Sequence, residues 1–156
     1  MQTSPIKGLE ELRERLRLIP EDMGRRGFKS ALRKAALVIA EEARARAESI
    51  NDPQTGRSIS ANVGVRFGSR YSKSTGDLMY RVGIQGGARV KDGKDTSAGA
   101  PTPHWRLIEF GTYKMAARPF FRPAMSAKAQ QAFDTFATEA DAALARAAKR
   151  YFKRGR

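Results

Sequence analysis

Twice along this chain the spacing of apolar residues changes, and those changes limit its fold more than any other feature. Phe28, Leu32, Ala36, Ile39, Ala43, Ala47 and Ile50 step by three and four, the period of a helix with one buried stripe. Glu21 and Asp22, after Pro20, carry the acidic charge that favours a helix start, and Asn51-Asp52-Pro53 ends the run. From Ile59 to Phe67 every odd position is apolar, and Leu78, Tyr80, Val82 and Ile84 alternate in the same way. That period of two predicts two strands paired as an antiparallel hairpin, joined by a polar, basic, turn-prone stretch from Gly68 to Gly76. The helical period then returns through Met125, Ala129, Phe133, Phe136, Ala140, Leu144, Ala147 and Tyr151. Pro123 suits the first turn of that helix. The expected fold is α+β: a small antiparallel sheet packed by a long helix of the N-terminal half and a long C-terminal helix.

A chain of 156 residues fits a single domain spanning 1–156. Leu9, Leu12, Leu16 and Ile19 predict a short helix or arm within 1–20. Residues 86–103 hold four glycines and two prolines with almost no large apolar side chain, and are expected to form a flexible loop. The final helix, about 28 residues or roughly 42 Å, is long for burial within so small a domain. Part of it is expected to face another subunit.

Composition excludes several kinds of chemistry. With no cysteine and one histidine, disulfides, thiolate nucleophiles and cysteine-ligated zinc are ruled out, and no acidic cluster has the spacing of a calcium loop. Neither a secretory signal nor a membrane span is expected, since the apolar run Ala35–Ala40 is far short of the roughly 20 residues a bilayer needs. Thirty Lys and Arg against sixteen Asp and Glu give a net charge of +14, which suits a polyanion or an acidic protein surface as partner and equally a plain solvated surface. Gly83-Ile84-Gln85-Gly86-Gly87 follows a strand but lacks the spacing of a phosphate-binding loop, so no cofactor is expected. Glu109 and His104 have no second carboxylate or nucleophile near them in sequence, and no catalysis is expected. Glu109 is expected to accept backbone N–H groups or to pair with Arg118 or Arg122.

The densest segment runs from His104 to Ala124. Trp105, Leu107, Ile108 and Phe110 read as an apolar cluster, and Gly111 permits a turn that other residues resist. Pro119 and Pro123 flank Phe120 and Phe121, which predicts an extended approach, both rings turned to the core, and a clean helix start.

These strings resemble the tail-component family of long-tailed bacteriophages. In that family an "E-F-G-T" string precedes "P-F-hydrophobic-R-P-A" and a long C-terminal helix. The matching residues are Glu109-Phe110-Gly111-Thr112 and Pro119-Phe120-Phe121-Arg122-Pro123-Ala124, with Thr55-Gly56-Arg57 matching a string that opens the first strand. The resemblance implies a small α+β structural subunit of the virion, assembled in the host cytoplasm, which joins or completes the tail at the neck. It further implies a homo-oligomeric ring with sixfold symmetry, neck or connector and tail-terminator or tail-tube proteins as partners, and DNA passing through the lumen.

Lys149, Arg150, Lys153 and Arg154 interleave with Tyr151 and Phe152 at the C-terminus. They fit contact with DNA or an acidic partner, or a helix end whose cations complement the dipole. A stand-alone basic nucleic-acid-binding protein is the rival function, and a tail terminator, adaptor or stopper is a rival place in the same neck.

Overall fold

The computed structural model describes residues 6–8, 10–11, 21–50, 58–85 and 102–154. In chain order the elements are helix α1 (Glu21–Glu48), short helix α2 (Ile59–Asn62), strand β1 (Val63–Phe67), helix α3 (Ser69–Thr75), strand β2 (Tyr80–Ile84), short helix α4 (Trp105–Phe110) and helix α5 (Phe121–Arg154). This is the α+β arrangement expected, with two long helices and one two-stranded sheet. At 34 residues α5 exceeds the expected length and spans about 51 Å. Most of the segment 1–20, the Thr55-Gly56 string and residues 86–101 lie outside the described residues. Lys7 and Gly8 form a turn, and Glu10 and Glu11 are helical.

Two hydrogen bonds set the strand register. Gly68 N–H donates to the Met79 carbonyl at 2.9 Å and Gln85 N–H to that of Asn62 at 2.6 Å. The strands are therefore antiparallel, with Phe67 opposite Tyr80, Val65 opposite Val82 and Val63 opposite Ile84 in the closer, non-hydrogen-bonded pairs. The alternating run was expected to be strand from Ile59, but its first four residues are α2. Ser58 explains the difference: its hydroxyl accepts the Ala61 N–H at 3.2 Å and caps the turn, a side-chain bond that periodicity does not register. The connection between the strands is also helical, α3, closed by Gly76 at φ +84°.

The chain folds as two compact units, and α1 and α5 contribute to both. One comprises Met1–Val38, Phe67–Tyr80 and Ala129–Arg156. Its helices bury mostly alanine: Ala31, Ala35 and Ala36 from α1, and Ala132, Ala140, Ala143 and Ala147 from α5. A methyl group added to Gly27 would sit 2.5 Å from the Ala143 methyl, so α1 and α5 touch nearly backbone to backbone there. Lys34 donates to Glu139 across the same pair of helices.

The other unit comprises Ile39–Arg66 and Arg81–Lys128 and holds the better-filled core. Ala40, Ala43 and Ala47 of α1 pack with Ile59, Val63, Phe120 and Ala124, and the half-buried Val65, Val82, Ile84, Trp105 and Ile108 close over them. In its non-hydrogen-bonded pair Val63 turns its carbonyl away from β2. The Arg44 guanidinium donates to that carbonyl from Nε and Nη2 at 3.1 and 2.9 Å, which satisfies it at the outer edge of β1. Thr102 was expected in the flexible loop, yet it is fully buried and accepts the Asn62 amide at 3.1 Å. Its own carbonyl receives the Trp105 N–H, and the chain enters α4 from that anchor.

Candidate functional site

The two strings singled out in the sequence form one device in the second unit. A helix leaves its first N–H groups without partners, and for α5 these belong to Phe120, Phe121 and Arg122. Glu109, at the end of α4, answers all three. Its Oε2 accepts the Phe120 and Phe121 N–H groups at 2.8 and 3.0 Å, and its Oε1 accepts the Arg122 N–H at 3.0 Å. Pro123 has no N–H to satisfy, and Ala124 N–H makes the first bond within the helix, to the Phe120 carbonyl. The carboxylate caps α5 from a different helix, with its charge at the positive end of the helix dipole.

Arg122 completes the clasp. Its Nε donates to Glu109 Oε1 at 3.1 Å and its Nη2 to the Glu109 carbonyl at 2.9 Å, so Arg122, not Arg118, is the ion-pair partner. Arg118 instead gives its backbone N–H to the Ile108 carbonyl. Glu109 is 1% exposed. Burial pushes its carboxyl up, but the N–H groups of Phe121, Arg122 and Phe120 and the Arg122 guanidinium outweigh that, and it is held below the ordinary carboxylate value. With both oxygens bonded, Glu109 has no open face toward a substrate.

The intervening loop is equally determined. Gly111 stands at φ +74° and ψ 177°, and an added Cβ would lie 2.8 Å from the Ala117 nitrogen. Thr112 exchanges backbone hydrogen bonds with Met115, while its hydroxyl accepts the N–H groups of Lys114 and Met115. Gly111→Ala is expected to cost about 1–3 kcal/mol, read as a lowered denaturation midpoint. An unchanged midpoint would mean that the turn relaxes freely.

Not every expectation for this segment holds. The apolar cluster divides: Trp105 and Ile108 pack on the core, but Leu107 is 50% and Phe110 62% exposed. A six-residue helix has two faces, and these two side chains stand on the outer one. Phe120 is fully buried, whereas Phe121 opens the helix and is only half-buried, its ring edge-on to Phe120 at 6.5 Å. Met125, placed in the buried stripe, is exposed. Pro119 is exposed and Ala124 is buried. Lys149 and Arg150 are exposed on α5, and Lys153 and Arg154 belong to its last turn.

What sequence reasoning missed is the surface around the clasp. Leu107 and Phe110 share the outer face of α4, Tyr113 (97% exposed) and Met115 follow on the turn, and Met125 lies one helical turn beyond Arg122. The Arg122 guanidinium sits 5.0 Å over the Phe110 ring and holds it in place. The signal was available in the i, i+3 spacing of Leu107 and Phe110, opposite the face of Trp105, Ile108 and Glu109.

Among the described residues no group of three or more His, Asp or Glu could hold a metal, and no helix is long and apolar enough to cross a membrane. The one buried carboxylate among those residues caps a helix, with large apolar side chains displayed beside it. Over residues 10–111 the chain matches the HK97-gp10-like family, described as "Bacteriophage HK97-gp10, putative tail-component". The chain belongs to this family of phage tail components. The match includes Glu109, Phe110 and Gly111 and ends before the Pro119–Ala124 string. No curated protein and no solved structure matches the chain significantly.

Proposed function

We infer that this chain is a structural subunit of the phage head–tail junction, a tail-completion or neck protein. Its copies close into a six-membered ring that joins tail to head and lets DNA pass. Membership of the tail-component family is the setting for this reading. The observation that carries it is the display of Leu107, Phe110, Tyr113 and Met115 on a segment made rigid by the Glu109 clasp. A group of large exposed apolar residues is characteristic of a contact surface, and fixing it in advance lowers the entropy lost on docking. We assign that surface to the neighbouring copy in the ring, leaving the neck or connector and the tail-terminator or tube proteins to other faces. A tail terminator, adaptor or stopper would use the same physics one layer away.

Particles made without the protein test the step: filled heads beside separate tails support tail completion, and unfilled heads point to an earlier connector. The contact surface has its own test. Leu107→Asp with Tyr113→Asp should change stability by less than about 0.5 kcal/mol per site while abolishing rings and tail attachment. Normal assembly by that variant would remove this surface from the interface.

The rival reading, a stand-alone nucleic-acid-binding protein, is favoured by the net charge of +14 and by the exposed Lys149 and Arg150. It requires tight duplex binding by the monomer at physiological salt, without rings. That result would displace the neck assignment.

A further inference from the structure

We propose that the outer face of the N-terminal half of α1, together with α3, is a binding surface for the phosphate backbone of duplex DNA. The proposal takes its biological setting from the neck reading, but the binding does not depend on a ring. Between Met23 and Ala40 the chain carries Arg25, Arg26, Lys29, Arg33 and Lys34 and no carboxylate. Lys34 is occupied by Glu139. The other four are exposed, and at spacings of three, four and seven they share one stripe about 12 Å long.

A second element extends the stripe. Lys29 Nζ lies 3.9 Å from the centre of the Phe67 ring, which itself rests on Tyr80 at 5.2 Å. Phe67 stands two residues before Ser69, where α3 begins, so the contact ties the start of α3 to α1. From α3 come Arg70 and Lys73, exposed and three residues apart, with Tyr71 41% exposed between them. Among the described residues none of Arg25, Arg26, Arg33, Arg70 or Lys73 is paired with a carboxylate.

Concentrated unpaired cations repel one another, and a polyanion relieves that repulsion. An acidic protein is the weaker candidate, because a protein interface needs a dry apolar centre and Tyr71 is the one large exposed apolar side chain described on this face. Backbone phosphates need only a row of flexible cations, and such contacts carry no base preference.

The test is the salt dependence of duplex binding by the full-length protein, followed by fluorescence anisotropy from about 50 to about 200 mM salt. Replacing Arg25, Arg26, Arg33, Arg70 and Lys73 with Gln should make the slope of log affinity against log salt shallower by about 0.9 for each phosphate no longer neutralised, up to about 4.5 in all. A control replaces Arg81, Arg106, Lys114, Arg118 and Arg146 with Gln, removes the same charge and should keep the wild-type slope. Equal slope changes in the two variants, a wild-type slope in the first, or no wild-type binding at the lowest salt would each overturn the proposal. Glutamine preserves helix propensity, so both variants should melt like the wild type. Should the fivefold variant fail to fold, Arg33→Gln and Arg70→Gln singly must each lower the slope by about 0.9, and no change in either overturns the proposal. Micrographs of the same variants keep the readings apart: rings with an unchanged slope sink this surface alone, and a lowered slope without rings sinks the neck reading alone.

Discussion

Replacing Glu109 with alanine should destabilise the protein by about 3–5 kcal/mol, a large share of what a domain of this size has to lose. The substitution removes one side chain but strands the N–H groups of Phe120, Phe121 and Arg122 together with the Arg122 guanidinium. Each loses a charge-assisted bond, and the buried site left by the Glu109 side chain offers no replacement acceptor. Glu109→Gln should fare little better, because its amide turns an NH2 donor toward backbone donors. In a double-mutant cycle with Arg122→Ala, the two changes should cost clearly less together than the sum of the singles. Denaturant midpoints measure all of this, and additivity in the cycle would refute the clasp.

The same carboxylate predicts a pH dependence. Its folded-state pKa lies below the ordinary value of 4.5. A depressed carboxylate contributes stability that is fully present above the unfolded value and is lost as pH falls through the folded one. Wild-type stability should therefore decline once the pH drops below 4.5, and the curve for Glu109→Gln should lack that component. Parallel curves in acid would show that Glu109 is not the group responsible.

Phe120→Ala carries the second large effect, about 3–5 kcal/mol, since the ring is wholly enclosed and its removal leaves a cavity between α1, the sheet and α5. Phe121→Ala should cost less, about 1–3 kcal/mol, because that ring is already half in solvent. Their edge-to-face contact should add a coupling of about 0.5–1.5 kcal/mol. If Phe121→Ala kept full stability yet failed to assemble, its ring would belong to an interface and not to the core.

These results separate what could be read along the chain from what could not. The stripe from Phe28 to Ile50 and the alternation at Val63–Phe67 and Tyr80–Ile84 appeared as periods, because burying one face of a helix or strand leaves a regular trace. The Ser58 cap leaves no such trace, so α2 was read as strand, and α3 was read as a turn. The buried stripe of α1 was correctly oriented but incomplete, since Ala31, Ala35 and Ala40 are too small to stand out by hydropathy and are buried because the helices approach closely.

The clasp shows where the division falls. The sequence alone determined that Glu109, Gly111, the two prolines and Arg122 stood in a constrained arrangement, because residue types with single conformational or charge roles recur there at tight spacing. It left open whether Glu109 met backbone or arginine, and which arginine. The packing of α4 against α5 settles that it meets both, that Arg122 is the arginine, and that Phe110 stays outside while Phe120 goes in. A remote cap joins groups eleven to thirteen residues apart, and a bond of that span exists only once α4 and α5 have packed.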